Sequence, residues 1–171
     1  KLSDLTPGDL SRVFPVSGGS EANETAIKIA RAYHVKNGDI NRNKIISRKG
    51  SYHGTTAGVL WLGGGPPVAS RDDFEPMYPN MLHAPQPNVY RCEFNSLNNS
   101  ECAIRSVKAI EELIKFHGPK TIAAVIAEPI AIPQGAIVPG EEYWPMLREV
   151  CDKYGVLLIS MTPIFIFFTV D

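Results

Sequence analysis

The sequence has 171 residues, 44% hydrophobic and 20% charged, enough chain for one domain with a buried core. A net charge of −1 gives no electrostatic footing for nucleic acid or an anionic membrane as partner. No cleavable signal and no apolar run long enough to span a bilayer is visible.

Cys92, Cys102 and Cys151 are odd in number and lack C-x-x-C spacing, which speaks against a disulfide framework or a zinc site. Free thiols in a reducing, cytoplasmic compartment are expected instead.

The chain opens at Lys1 in what reads as mid-domain sequence, so a partial chain is expected. Arg12 to Val16 is a short apolar run, read as a strand, that ends at Ser17-Gly18-Gly19-Ser20. From Glu21 the pattern turns helical, with Ala22, Ala26 and Ala30 in one row and Ile29 and Tyr33 in another; Gly38 closes it. Lys44 to Arg48 reads as a strand, followed by the loop Ser51-Tyr52-His53-Gly54. Between Gly63 and Asn88 glycine and proline are frequent and no period shows, so a long loop is predicted, of a length that usually has a functional reason.

Ser100 is read as the cap of an amphipathic helix with Ile104, Val107, Ile110, Leu113 and Ile114 along one face, ended by Gly118-Pro119. Thr121 to Ala127 is an unbroken apolar run, as in a strand buried on both faces of a parallel sheet. A helix from Glu141 to Tyr154 follows, with Trp144, Leu147, Val150 and Tyr154 facing inward. Gly155 stops it, and Val156 to Ile159 is a second fully apolar strand. Strands alternating with helices predict an α/β domain, a mostly parallel sheet flanked by helices.

Three segments carry possible chemistry. At Ser17-Gly18-Gly19-Ser20 the chain turns sharply into a helix whose first N–H groups are unpaired and electropositive, so a phosphate fits there. Ser20 serves equally as a helix cap, with Asn23 and Glu24 in a capping-box-like arrangement. Neither a Walker loop nor a dinucleotide fingerprint is present. Tyr52-His53-Gly54 follows a predicted strand, at the end of the sheet where open α/β folds bind ligands. Tyr52 there either covers a flat ring or packs as an ordinary loop aromatic. Glu128 stands at the mouth of the apolar run, and is either paired with a task or a solvated loop acid. His83 and His117 have no partner spacing, and no metal site is expected.

Val13-Phe14-Pro15-Val16-Ser17-Gly18-Gly19-Ser20-Glu21-Ala22-Asn23-Glu24-Thr25-Ala26 closely resembles the cofactor-phosphate segment of class-III, fold-type-I pyridoxal-phosphate (PLP) aminotransferases. Ile45-Ile46-Ser47 through Ser51-Tyr52-His53-Gly54-Thr55-Thr56 is similar to their next motif. Ala127-Glu128-Pro129-Ile130, Val138-Pro139, Tyr143-Trp144 to Leu147-Arg148-Glu149, and Tyr154-Gly155 to Ile159 follow in the family's order. The resemblance runs from about Leu10 to Ile159.

It implies cofactor-binding roles for Gly19, Ser20, Tyr52, His53 and Glu128. Gly19 and Ser20 would hold the phosphate, Tyr52 would stack on the pyridine ring, and Glu128 would lie beneath it. It implies part of the family's large PLP domain, and a homodimer with active sites at the subunit interface. The implied reaction is amino transfer from an amine or amino acid to a 2-oxo acid such as pyruvate. A non-catalytic fragment that keeps the fold and binds phosphate or a partner subunit is the alternative.

Two departures bear on this choice. Where the family continues its strand with a small residue and Asp-Glu, this chain has Ser160, Met161 and Thr162, then an apolar tail. Ile132, Pro133 and Gln134 also stand where small residues are usual. The family's Schiff-base lysine lies well downstream of this strand, so none of the lysines here is expected to be catalytic. Residues 1–160 are accordingly read as the partial PLP domain and 161–171 as an atypical tail.

Overall fold

Ile122–Ala127 forms the central strand, β3, and all its residues are buried, as a run without a polar side chain requires. The computed structural model describes residues 12–63, 72–161 and 166–169. Around β3 lie β1 (Lys44–Arg48), β2 (Met81–Ala84), β4 (Leu157–Met161) and β5 (Ile166–Thr169), in the order β2-β1-β3-β4-β5. β1 to β4 are mutually parallel, and β5 is antiparallel to β4. The predicted mostly parallel α/β sheet is what the chain forms.

Helices α1 (Gly19–Lys36), α2 (Asn99–His117) and α3 (Tyr143–Tyr154) cover the sheet. Successive strand residues feed opposite layers. Ile45 and Ile159 pack with Ile27 and Ala30 of α1, whereas Ile46 and Leu158 pack with Ile110 of α2 and Leu147 of α3. Arg42 locks the end of the sheet where the parallel strands begin. Its guanidinium donates to the carbonyls of Pro119, Ile122 and Tyr154 and to the Asp39 carboxylate.

Several expectations shift. Arg12 to Val16 is irregular, with Phe14 exposed, because an apolar run becomes a strand only beside an edge, and it has none among the described residues. The predicted loop from Gly63 to Asn88 contains β2. Met81-Leu82-His83-Ala84 is too short to show a period, and it is held by pairing with β1 and by a bond between His83 Nε2 and the Trp61 carbonyl at 3.0 Å. Part of that segment, residues 64–71, lies outside the described residues.

The cap of α2 is Asn98, not Ser100: its side chain accepts from the Glu101 amide at 2.8 Å, while the Ser100 hydroxyl donates to Glu142. With that start, α2 turns Cys102, Ala103, Val107, Ile110 and Ile114 inward, and Ile104 and Leu113 fall at its margins. β4 continues through Met161, and Ile166–Thr169 pairs with it. The rest of the 161–171 segment, residues 162–165 and 170–171, lies outside the described residues.

Candidate cofactor site

Parallel strands place their carboxyl ends on one edge, so the segments after β1, β3 and β4 begin side by side. Ala127 pairs with Ser160, and Glu128 and Met161 are the next residues on each strand. At this edge of an open α/β sheet ligands bind.

The turn before α1 leaves backbone amides without a side-chain cap. Gly18 is the N-cap and supplies no side-chain cap, so the first amides of the helix stay available. Among the described residues nothing lies within 4 Å of where a Cβ on Gly19 would stand. Ser20, Asn23 and Glu24 do not cap the helix; each reaches across to the loop after β1. Ser20 Oγ accepts from the Thr55 amide at 3.1 Å, and Asn23 Nδ2 donates to the His53 carbonyl at 2.7 Å. Glu24 Oε1 accepts from Thr56 Oγ1 at 2.7 Å and from the amides of Gly58 and Val59 at 3.0 and 3.2 Å. Gly54 permits this approach: its φ is +124°, and a Cβ there would lie 2.4 Å from Ser20 Oγ.

The other side of the same loop is fastened to Glu128, which is paired and buried rather than solvated. Its Oε2 accepts from Arg48 Nη2 at 2.8 Å and from Ser51 Oγ at 3.0 Å; its Oε1 accepts from the Tyr52 amide at 3.1 Å. Arg48 Nη2 also donates to the Glu128 carbonyl at 2.6 Å, and the guanidinium lies over the Tyr143 ring. Burial alone would raise the Glu128 carboxyl. The Arg48 guanidinium, with bonds from Arg48 and the Tyr52 amide, brings it below the usual carboxylate range.

Tyr52 is 40% exposed at this edge, whereas its neighbour His53 is fully buried. Burial lowers the His53 pKa to about 4, Glu128 opposing and Arg48 and His83 assisting, so its ring is neutral at pH 7. Both ring nitrogens lack a partner among the described residues. All five residues singled out from the sequence thus lie on α1, the 51–55 loop or the end of β3. Arg48 and Ser51, which hold Glu128, were not singled out. An arginine at the end of a predicted strand, next to the Tyr52 loop, was the available signal.

These features fit a phosphorylated flat cofactor: open amides at a helix N-terminus, a half-exposed aromatic, and orphaned buried nitrogens beside it. An open parallel sheet with this edge is the large-domain arrangement of fold-type-I PLP enzymes. The profile of the class-III aminotransferases matches residues 1–160, and the chain belongs to that family, whose cofactor is PLP.

It is 41% identical over 160 residues to the Mycobacterium tuberculosis protein named "Probable aminotransferase Rv3329", covering 94% of this chain and 34% of that one. It is 34% identical over 159 residues to putrescine–pyruvate aminotransferase of Pseudomonas aeruginosa, with coverages of 93% and 34%. Among solved structures, an (S)-enantioselective omega-transaminase from Thermomicrobium roseum superposes with a TM-score of 0.86 at 43% identity, covering 93% of this chain and 35% of that one. A PLP-bound amine transaminase from an uncultivated Pseudomonas species gives 0.80 at 36% identity, with coverages of 85% and 32%. The chain therefore spans about a third of the length of the relatives it matches. No helix among the described residues is long and apolar enough to cross a membrane.

Proposed function

We propose that this chain is the cofactor-binding part of a PLP-dependent aminotransferase that moves an amino group from an amine or amino acid to a 2-oxo acid such as pyruvate. One observation carries the reading. The 51–55 loop is bonded to Ser20 on the phosphate side and to Glu128 on the ring side, so one short segment links the two.

Bound PLP supplies an electron sink for negative charge developing on the substrate carbon. The α1 amides and the Ser20 hydroxyl hold the phosphate; Ser20 Oγ accepts from Thr55, which leaves its O–H to donate to an anion. Tyr52 offers its ring to the pyridine face. Glu128 holds the Tyr52 backbone through the hydrogen bond it accepts from the Tyr52 amide, and would present an ionised carboxylate near the cofactor ring. The cofactor-binding set is thus Gly19, Ser20, Tyr52, His53 and Glu128.

A homodimer is part of the proposal, and the exposed Val13, Phe14 and Val16 leading into the site supply apolar surface for it. So is a cytoplasmic location, supported by the cysteine pattern. Residues 1–160 are assigned to the partial PLP domain and 161–171 to an atypical tail that continues the same sheet, with Met161 at the family's aspartate position.

Met161 favours the second reading, a fragment that keeps the fold and binds phosphate or a partner subunit without catalysis, because a thioether offers no counter-charge to a protonated pyridine. The test is turnover by the purified protein that contains this chain, with PLP, pyruvate and a panel of amines. Alanine formation that depends on both PLP and amine supports the transaminase. PLP binding without any alanine supports the second reading, and neither binding nor turnover removes the transaminase.

A further inference from the structure

Cys92 and Cys102 meet although they lie on different elements. Cys92 follows the short helix Val89–Arg91 and is half-buried; Cys102 sits in the first turn of α2 and is fully buried. The Cys102 and Cys92 Sγ atoms stand 2.8 Å apart. Cys151, the third cysteine, is buried separately on α3.

The two thiols have unequal surroundings. After Cys92 the chain turns back on itself, with the Asn95 amide donating to the Cys92 carbonyl at 3.1 Å. Ser96 Oγ then lies 3.3 Å from Cys92 Sγ, and the Phe94 and Ser96 amides point at that sulfur. Burial works against a Cys92 thiolate, but the Cys102 thiol, the Ser96 hydroxyl and these amides outweigh it and bring the pKa down to about 7. Burial, with the neighbouring Cys92 sulfur, pushes Cys102 up to about 12. A reachable thiolate touching a buried thiol is the arrangement of an attacking cysteine and the partner that resolves it.

We propose that Cys92 and Cys102 form an oxidation site, which a hydroperoxide converts to a disulfide tying the loop after Cys92 to the first turn of α2. Cys92 sulfur attacks the peroxide O–O bond, forming a sulfenic acid and releasing the distal oxygen as water or alcohol. Cys102 sulfur then attacks Cys92 sulfur; the S–S bond forms, the S–O bond breaks, and the hydroxyl leaves with the Cys102 proton as water. Two electrons pass from the sulfurs to the peroxide. The site lies on the α2 side of the sheet and does not depend on the cofactor reading.

Trypsin should release residues 92–105 as one peptide carrying both thiols, because Arg91 and Arg105 flank it. The reduced protein is exposed to hydrogen peroxide, its free thiols are alkylated in denaturant, and this peptide is weighed. The expected product has no alkyl group and two hydrogens fewer, with Cys151 alkylated alone. Cys102→Ser should instead leave a Cys92 sulfenic acid that dimedone traps, and Cys151→Ser should leave the cross-link unchanged. The pH–rate profile of Cys92 oxidation should have its midpoint near 7 in the folded protein. In denaturant that midpoint should move to ~8.5. The proposal is overturned if Cys92 goes to sulfinic acid while Cys102 stays alkylatable, if either bonds Cys151, if both thiols survive, or if the folded and denatured profiles coincide.

Discussion

Replacing Glu128 with Gln removes a charge and almost no volume, so it isolates what the carboxylate does between β3 and the Tyr52 loop. The ion pair it breaks is withdrawn from water, with side-chain exposures of 1% for Arg48 and 5% for Glu128. Neutralising one partner of such a pair leaves the other charge buried without compensation, which costs about 3–5 kcal/mol. The bond from Arg48 Nη2 to the Glu128 carbonyl survives the substitution, which favours the lower end of that range. A Gln oxygen can replace one acceptor. Its NH2 group then faces Ser51 and Arg48 or the Tyr52 amide, and donors among these lose their acceptor.

The expected loss is therefore about 3 kcal/mol, a large fraction of the stability of an ordinary domain. Urea unfolding of Glu128→Gln, Arg48→Met and the double variant measures it. The double variant should cost little more than either single one, giving a coupling of about 2 kcal/mol or more. If Glu128→Gln costs less than about 1 kcal/mol, the pair behaves as an exposed one and does not anchor the loop.

Acid should weaken the fold through His53. Its folded pKa of about 4 lies below the ordinary 6.5, so the neutral ring is the stable form. Stability from this group is complete above pH 6.5 and declines as pH falls toward 4, by about 3 kcal/mol; His53→Phe should flatten that slope in unfolding curves, and an unchanged slope would remove His53 as its source. Met161→Asp, in the complete enzyme, should speed single-turnover conversion of the PLP form to the pyridoxamine form by roughly a hundredfold. Rates within a few-fold of each other would mean that Met161 does not occupy the aspartate position.

Long, periodic or uniformly apolar segments were legible without coordinates. β1 has the predicted bounds, and α2, α3, β3 and β4 begin or end within two residues of them, because burial on one or both faces leaves its mark on every residue of the run. What the sequence hid depends on partners elsewhere in the chain. β2 is too short to show alternation and exists because β1 offers an edge. Arg12 to Val16 has strand composition and no such edge among the described residues. Ser20, Asn23 and Glu24 match a capping pattern at helical spacing, yet they bond to residues some thirty positions away. In the site, motif resemblance identified Tyr52 and Glu128 as individuals. That Glu128 accepts from the Tyr52 amide, and from Arg48 and Ser51 as well, is a fact of the β1–β3 pairing that no local pattern encodes.

The open α1 terminus with Ser20 is proposed to hold the phosphate of PLP. Its most direct test is a PLP titration, followed by absorbance, of the parent protein and of Ser20→Ala, with inorganic phosphate as competitor. A hydrogen bond to a charged group contributes about 1.5–3 kcal/mol, so Ser20→Ala should weaken PLP binding by roughly tenfold or more, and phosphate should compete in the parent. Equal affinity in the two proteins, or phosphate that leaves PLP binding untouched, would contradict it.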